Sequence, residues 1–146
     1  MAKKIVIFIG ACAVFVAACG LCAARPAAAA QAATDGLYTE AQAVRGATIY
    51  AEQCASCHGE DMTGVPDLFP ALVGETFVTN WQGKSVGELF EKINQTMPAL
   101  DPGSLMPAQV ADLVAHALSS SQYPAGAAEL LPDVAALNGI TLDAPE

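Results

Sequence analysis

Three residues of this 146-residue chain have types and spacing that carry chemistry: Cys54, Cys57 and His58. They form Cys-x-x-Cys-His, the attachment pattern of a c-type haem. Two thiols at this spacing can add across the two vinyl groups of one porphyrin edge when the segment is about one helical turn long. The imidazole beside the second thioether is then held under the iron, where histidine is the usual proximal ligand.

Two other chemistries use a Cys-x-x-Cys pair. A redox disulfide calls for a βαβ pattern nearby, and none follows. A structural zinc site needs two further Cys or His ligands. The other histidine is His116, and the remaining cysteines, Cys12, Cys19 and Cys22, lie in the N-terminal apolar segment. Covalent attachment of one haem c is the reading that uses all three residues.

The compartment follows from the chain start. Lys3 and Lys4 precede an uncharged, mostly apolar run over residues 5–24, and small residues follow Pro26. Residues 1–30 read as an export signal, with cleavage after Ala30 or after Ala33. Retention as an N-terminal anchor is an alternative, because the run is long enough to span a bilayer. Val16-Ala17-Ala18-Cys19 resembles a lipobox, which would place a lipid on Cys19. All three place the rest of the chain outside the cytoplasm, with a soluble periplasmic protein as the leading form. Cleavage after Ala30 removes three of the six basic residues and none of the fifteen acidic ones. So acidic a chain excludes nucleic acid as a partner and suits a partner with a basic docking patch. It also leaves Cys54 and Cys57 as the only cysteines, so no disulfide framework competes for them.

The elements that must position the motif are helical. Residues 31–38 read as a flexible lead. Thr39 and Gln42 fit a capping box, and the spacing predicts a helix from 40 to 51 or 54, with Ala43, Ala47, Tyr50 and Cys54 on one face. Gly46 inside it costs about 1 kcal/mol against alanine; close approach of another helix would explain it. Residues 60–69 are a polar loop. Pro70-Ala71-Leu72-Val73-Gly74 is a small apolar patch suited to lining a flat cofactor, with Leu72 and Trp81 as pocket residues. A buried Trp81 indole needs an acceptor, and a haem propionate would be one. Ser85 and Glu88 form a second capping box before a helix over 86–94. Pro107 suits the first position of a last helix running to about residue 119. Its apolar stripe leaves out His116, which reads as a surface residue. Residues 127–146 are a tail that wraps over the domain or is partly disordered.

One iron face remains open. Met62 is tethered too close to His58 to reach it. Met97 and Met106 each precede a proline, which holds the preceding residue extended. Met97 opens a long loop and is free to cross a haem, whereas Met106 abuts the last helix. Met97 is the expected axial partner and Met106 the rival.

The segment from about Thr39 to Gly126 resembles class I c-type cytochromes. The resemblance rests on the first helix with Gly46 and Tyr50, Cys54 to Gly59, Pro70 to Gly74, Thr96-Met97-Pro98 and a final helix. It implies an all-α fold, three or more helices and long loops packed around one covalent haem, over a domain at 39–126. It implies that the first and last helices cross, that the Pro70 carbonyl accepts the His58 N–H, and that Met97 is the axial methionine. It implies an electron carrier rather than an enzyme. The segments Pro102 to Leu105 and Tyr123 to Gly126 resemble cytochromes that serve quinoprotein dehydrogenases. The partners so implied are such a dehydrogenase on one side and a terminal oxidase or another cytochrome on the other. A haem subunit of a dehydrogenase complex, and a sensor or catalyst with an open sixth site, are the alternatives.

Overall fold

The computed structural model describes residues 31–32 and 36–145. The expected export signal lies outside them. The described chain is helical: α1 (Glu40–Gln53), α2 (Ala55–His58), α3 (Gly74–Trp81), α4 (Val86–Thr96), α5 (Pro107–Ser120) and α6 (Val134–Leu137). Two short strands, β1 (Gln31–Ala32) and β2 (Ile140–Thr141), pair in parallel. This is the all-α architecture expected from the sequence.

Local chemistry starts the helices. At α4, Ser85 Oγ accepts from the Glu88 amide at 3.1 Å while the Ser85 amide donates to Glu88 Oε2 at 2.8 Å. This reciprocal box satisfies two amides that the helix cannot pair itself. Pro107 opens α5, and Gln109 Oε1 accepts from the Met106 amide at 2.9 Å. At α1 only half of the expected box forms. Thr39 Oγ1 accepts from the Gln42 amide at 3.2 Å, but the Gln42 side chain turns away. It is buried, so both of its amide atoms must be paired. The peptide groups of Leu130 satisfy both, with Nε2 donating to Leu130 O at 2.9 Å and Oε1 accepting from Leu130 N at 2.8 Å.

Helix α3 was not legible in the sequence. Its N-cap is Val73, which offers no side-chain hydrogen bond. Thr76, Val78 and Thr79 are poor helix formers. Packing holds it instead, through Phe77, which is 1% exposed.

The core forms where α1 crosses α5, the most extensive contact between elements. The crossing occurs at Gly46, where a Cβ would overlap the carbonyl of Asp112. Only a missing side chain lets the two backbones meet there, as expected from the sequence. Arg45, one residue earlier, clamps Asp112 with two hydrogen bonds of 3.0 and 2.9 Å and reaches Glu129 with a third of 3.0 Å. Both carboxylates raise the Arg45 pKa further. Four residues after Gly46 the Tyr50 ring lies 5.4 Å from that of His116. His116 is therefore half-buried in the helix crossing and is not the surface residue that its place off the apolar stripe suggested.

Both flanks of the domain are packed. Leu37 and Tyr38, placed in a flexible lead by the sequence, are buried. Tyr38 donates its hydroxyl to Tyr123 O at 2.6 Å, and its own carbonyl accepts from the Gly126 amide at 2.7 Å. In the tail, Leu130, Leu137 and Leu142 are buried, while Leu131 faces solvent. Among the described residues, no helix is long and apolar enough to cross a membrane.

Two outcomes test the crossing. Gly46→Ala is expected to destabilise the protein by roughly 3 kcal/mol, because the overlap is with backbone and neither helix can yield locally; a denaturant titration reads it. Burial holds the His116 imidazole below its ordinary pKa. Its contribution to stability is whole above the unfolded-state value and is lost as pH falls through the lower folded value. His116→Phe keeps a ring against Tyr50, so it should lose less stability between about pH 7 and pH 5. Denaturation midpoints at the two pH values check this.

Candidate functional site

Helix α1 runs directly into the Cys-x-x-Cys-His turn. Cys54 caps α1 and donates its amide to Tyr50 O at 2.9 Å; the Cys57 and His58 amides then donate to Cys54 O at 3.1 and 3.0 Å. The segment is thus the single helical turn that the attachment pattern calls for. The Tyr50 hydroxyl donates to Gly59 O at 2.7 Å, tying the residue after His58 back to α1. Burial pushes the Tyr50 phenol up to about 12.

His58 is buried, and its Nδ1 lies 3.0 Å from the carbonyl oxygen of Pro70. A carbonyl can only accept, so Nδ1 carries the proton and Nε2 keeps its lone pair. A second-shell acceptor of this kind fixes both the ring plane and the tautomer of a metal-binding imidazole. The contact is possible because the intervening loop folds back tightly. Gly64 donates its amide to His58 O at 2.9 Å, and its bare Cα, at φ 71°, abuts the backbone of Phe69 and Pro70. Asp61 Oδ1 supports the same loop by accepting from the Thr63 amide and hydroxyl at 3.1 and 2.8 Å. These bonds, the hydroxyl's first, hold the Asp61 carboxyl below its ordinary pKa. Leu72 then donates its amide to Met62 O at 2.8 Å.

The competing chemistries of the cysteine pair do not fit. Burial, and then the charge of Cys57, push the Cys54 thiol up to about 11. A redox Cys-x-x-Cys needs the opposite shift, because the thiolate is its nucleophile. No cluster of three or more metal-ligating side chains of the zinc type exists among the described residues. What remains is two free thiols, an oriented imidazole and apolar surface. A cleft of about 510 Å³ opens on the loop that carries Pro70, lined by Pro66, Leu68, Phe69, Pro70 and Ala71 with Thr63, Asp67 and Thr76; the cysteines and His58 lie outside its lining. The Phe69 ring lies 6.0 Å from that of His58. This donor set fits a covalently attached haem.

The structure brings Cys54, Cys57, His58 and Pro70 together. The other residues singled out in the sequence sit on other elements. Leu72 and Trp81 are partly covered at the edge of the core, on the loop after Pro70 and at the end of α3. Trp81 packs against Phe77, and the Lys84 ammonium stands 4.9 Å over its ring. Met97 is half-buried in extended conformation at the C-terminus of α4, its amide donated to Ile93 O at 2.9 Å. Met106 is 62% exposed and precedes α5. Met62 is buried in the core. Sequence reasoning missed Gly64 and the Tyr50 hydroxyl. The run Asp61-Met-Thr-Gly64 carries the turn chemistry that could have revealed the first.

A helical domain with a Cys-x-x-Cys-His turn and a carbonyl-oriented histidine defines a c-type cytochrome. The model of the family described as cytochrome C oxidase, cbb3-type, subunit III matches residues 41–116, and the chain belongs to this family of cytochrome domains. Its cofactor is therefore covalently bound haem c, and its chemistry is electron transfer with redox partners. No curated protein matches the chain. Among solved structures, a similar one is the sulfane dehydrogenase SoxCD from Paracoccus pantotrophus, at 20% identity and a TM-score of 0.42. That alignment covers 59% of this chain and 50% of the other, so the chain spans about half of its length.

The hydroxyl that ties the motif to α1 can be tested. Tyr50→Phe keeps the ring against His116 and removes only the bond to Gly59. It should cost about 1 kcal/mol of holoprotein stability, measured by denaturant titration, with haem content unchanged.

Proposed function

We propose that this chain is an exported monohaem c-type cytochrome that carries single electrons between a periplasmic dehydrogenase and the respiratory chain. The observation that carries the reading is the 3.0 Å contact between His58 Nδ1 and Pro70 O, which leaves Nε2 as the metal-binding atom. Cys54 and Cys57 would hold the haem covalently through thioethers, and His58 and Met97 would supply the ligands to its iron. The haem supplies an iron that gains and loses one electron. With both ligands supplied by the fold, little would rearrange during transfer, and pairing a thioether with an imidazole would raise the potential. Leu72 and Trp81 would line the pocket, and the Trp81 N–H would donate to a propionate.

Met97 is favoured over Met106 by its surroundings. Its backbone is fixed by Ile93 O on one side and by Pro98 on the other. Met106 carries the same two restraints, its amide bonded to Gln109 Oε1 and Pro107 following, but it is 62% exposed whereas Met97 is half-buried. The acidic surface supports steering toward a basic patch on the partner. The segments Pro102 to Leu105 and Tyr123 to Gly126 support a quinoprotein dehydrogenase as donor, with an oxidase or a second cytochrome as acceptor. Export rests on the signal-like residues 1–30, and cleavage is favoured over lipidation at Cys19 or a retained anchor.

Met97→Ala is expected to abolish the weak far-red sulfur-to-iron band of the ferric protein and to admit carbon monoxide rapidly. Met106→Ala should keep the band. The reverse result would transfer the ligand role to Met106. A wild-type protein that lacks the band and binds carbon monoxide at once would point to a sensor or catalyst with an open site.

A further inference from the structure

The family match ends at residue 116, yet the chain beyond residue 126 is bonded to the domain at both ends. At one end Gln42 of α1 holds both peptide groups of Leu130. At the other, residues 138–142 grip the start of α4. Asn138 Oδ1 accepts from Ser85 Oγ, the N-cap of α4, at 3.0 Å. Leu142 exchanges backbone hydrogen bonds of 2.8 Å with Gly83 and Lys84, and its side chain is fully buried. Gly87, in the first turn of α4, has no side chain because Asn138 occupies that space. Between these ends Leu137 is buried, and its helix α6 packs on α4, which also packs on α5.

We propose that residues 130–142 are a strap that positions α4, and with it Met97 at the far end of that helix, against the α1–α5 pair. The inference rests on the reading of Met97 as a ligand. Its physical basis is that α4 is short and joined to its neighbours by loops. A helix of this length takes its placement from packing rather than from its own propensity. The strap supplies that packing at the end remote from Met97, so the helix is fixed as a rigid rod from its N-terminus. Gly87 and Leu142 are positioning residues: neither touches the iron ligands.

Gly87→Ala in the full-length holoprotein separates the strap from ordinary helix stability. Alanine is the better helix former, so with no strap the variant would be neutral or more stable. With the strap, the new methyl group displaces Asn138. The expected result is amide exchange in α4 faster by on the order of tenfold, with α1 and α5 unchanged. The far-red band should be lost at lower guanidinium concentration than the helical signal, whereas in the wild type the two losses stand closer together. Leu142→Ala should do the same, and Leu142→Ile should restore the wild-type pattern. Unchanged exchange in α4 overturns the strap. Faster exchange with an unmoved band overturns its role in placing Met97. A wild type without the band overturns the Met97 assignment, and the strap then stands or falls on the exchange data alone.

Discussion

Backbone contact at Gly46 is the constraint on which the rest of the molecule depends. Helix α1 can lie directly on the Asp112 carbonyl only because position 46 carries no side chain. That contact sets where α1 ends, and α1 ends in Cys54. The haem-binding turn is therefore not a loop decorated with cysteines. It is the continuation of a helix whose position is fixed to van der Waals tolerance by its partner. Interiors are dense enough that such a contact has little slack.

Polar ties around the crossing are few and fully used. Arg45 is one of three basic residues beyond residue 30, and it joins α1, α5 and the tail by binding Asp112 and Glu129 together. A bidentate guanidinium–carboxylate pair fixes direction as well as distance. Exposure of Arg45 limits its energetic weight, so its part is geometric. Gln42 differs, because it is buried and both of its amide atoms are matched to a single residue. Loss of one partner there would leave a buried polar atom unpaired, which costs more than the bond itself contributes.

The attachment turn and the capped helices were legible in the sequence, whereas the contacts that hold them together were not. Cys54, Cys57 and His58 could be read because the chemistry dictates both residue type and spacing. Gly46 could be read because glycine inside a capped helix calls for a reason. The boundaries of α4 and α5 followed from Ser85, Glu88 and Pro107, whose effects are local. Helix α3 could not be read, since it forms through the burial of Phe77, and neither a cap nor propensity announces it. Gln42 and His116 were misplaced for one shared reason. Each is polar and sits at a position whose partner, Leu130 or Tyr50, is distant in sequence or on another helix. Local pattern assigns such residues to caps or to the surface. Only tertiary packing shows that the partner is there.

The meeting of the domain's two flanks has a consequence for the order in which its contacts form. The Gln42–Leu130 pair spans 88 positions, and the Tyr38–Tyr123 bond spans 85. Contacts so far apart form late, because the loop they close must first be brought together. Before those contacts close, Cys54 in the turn between them is more reachable than in the folded chain, where it is half-buried, so closure of the tail narrows access to the thiol.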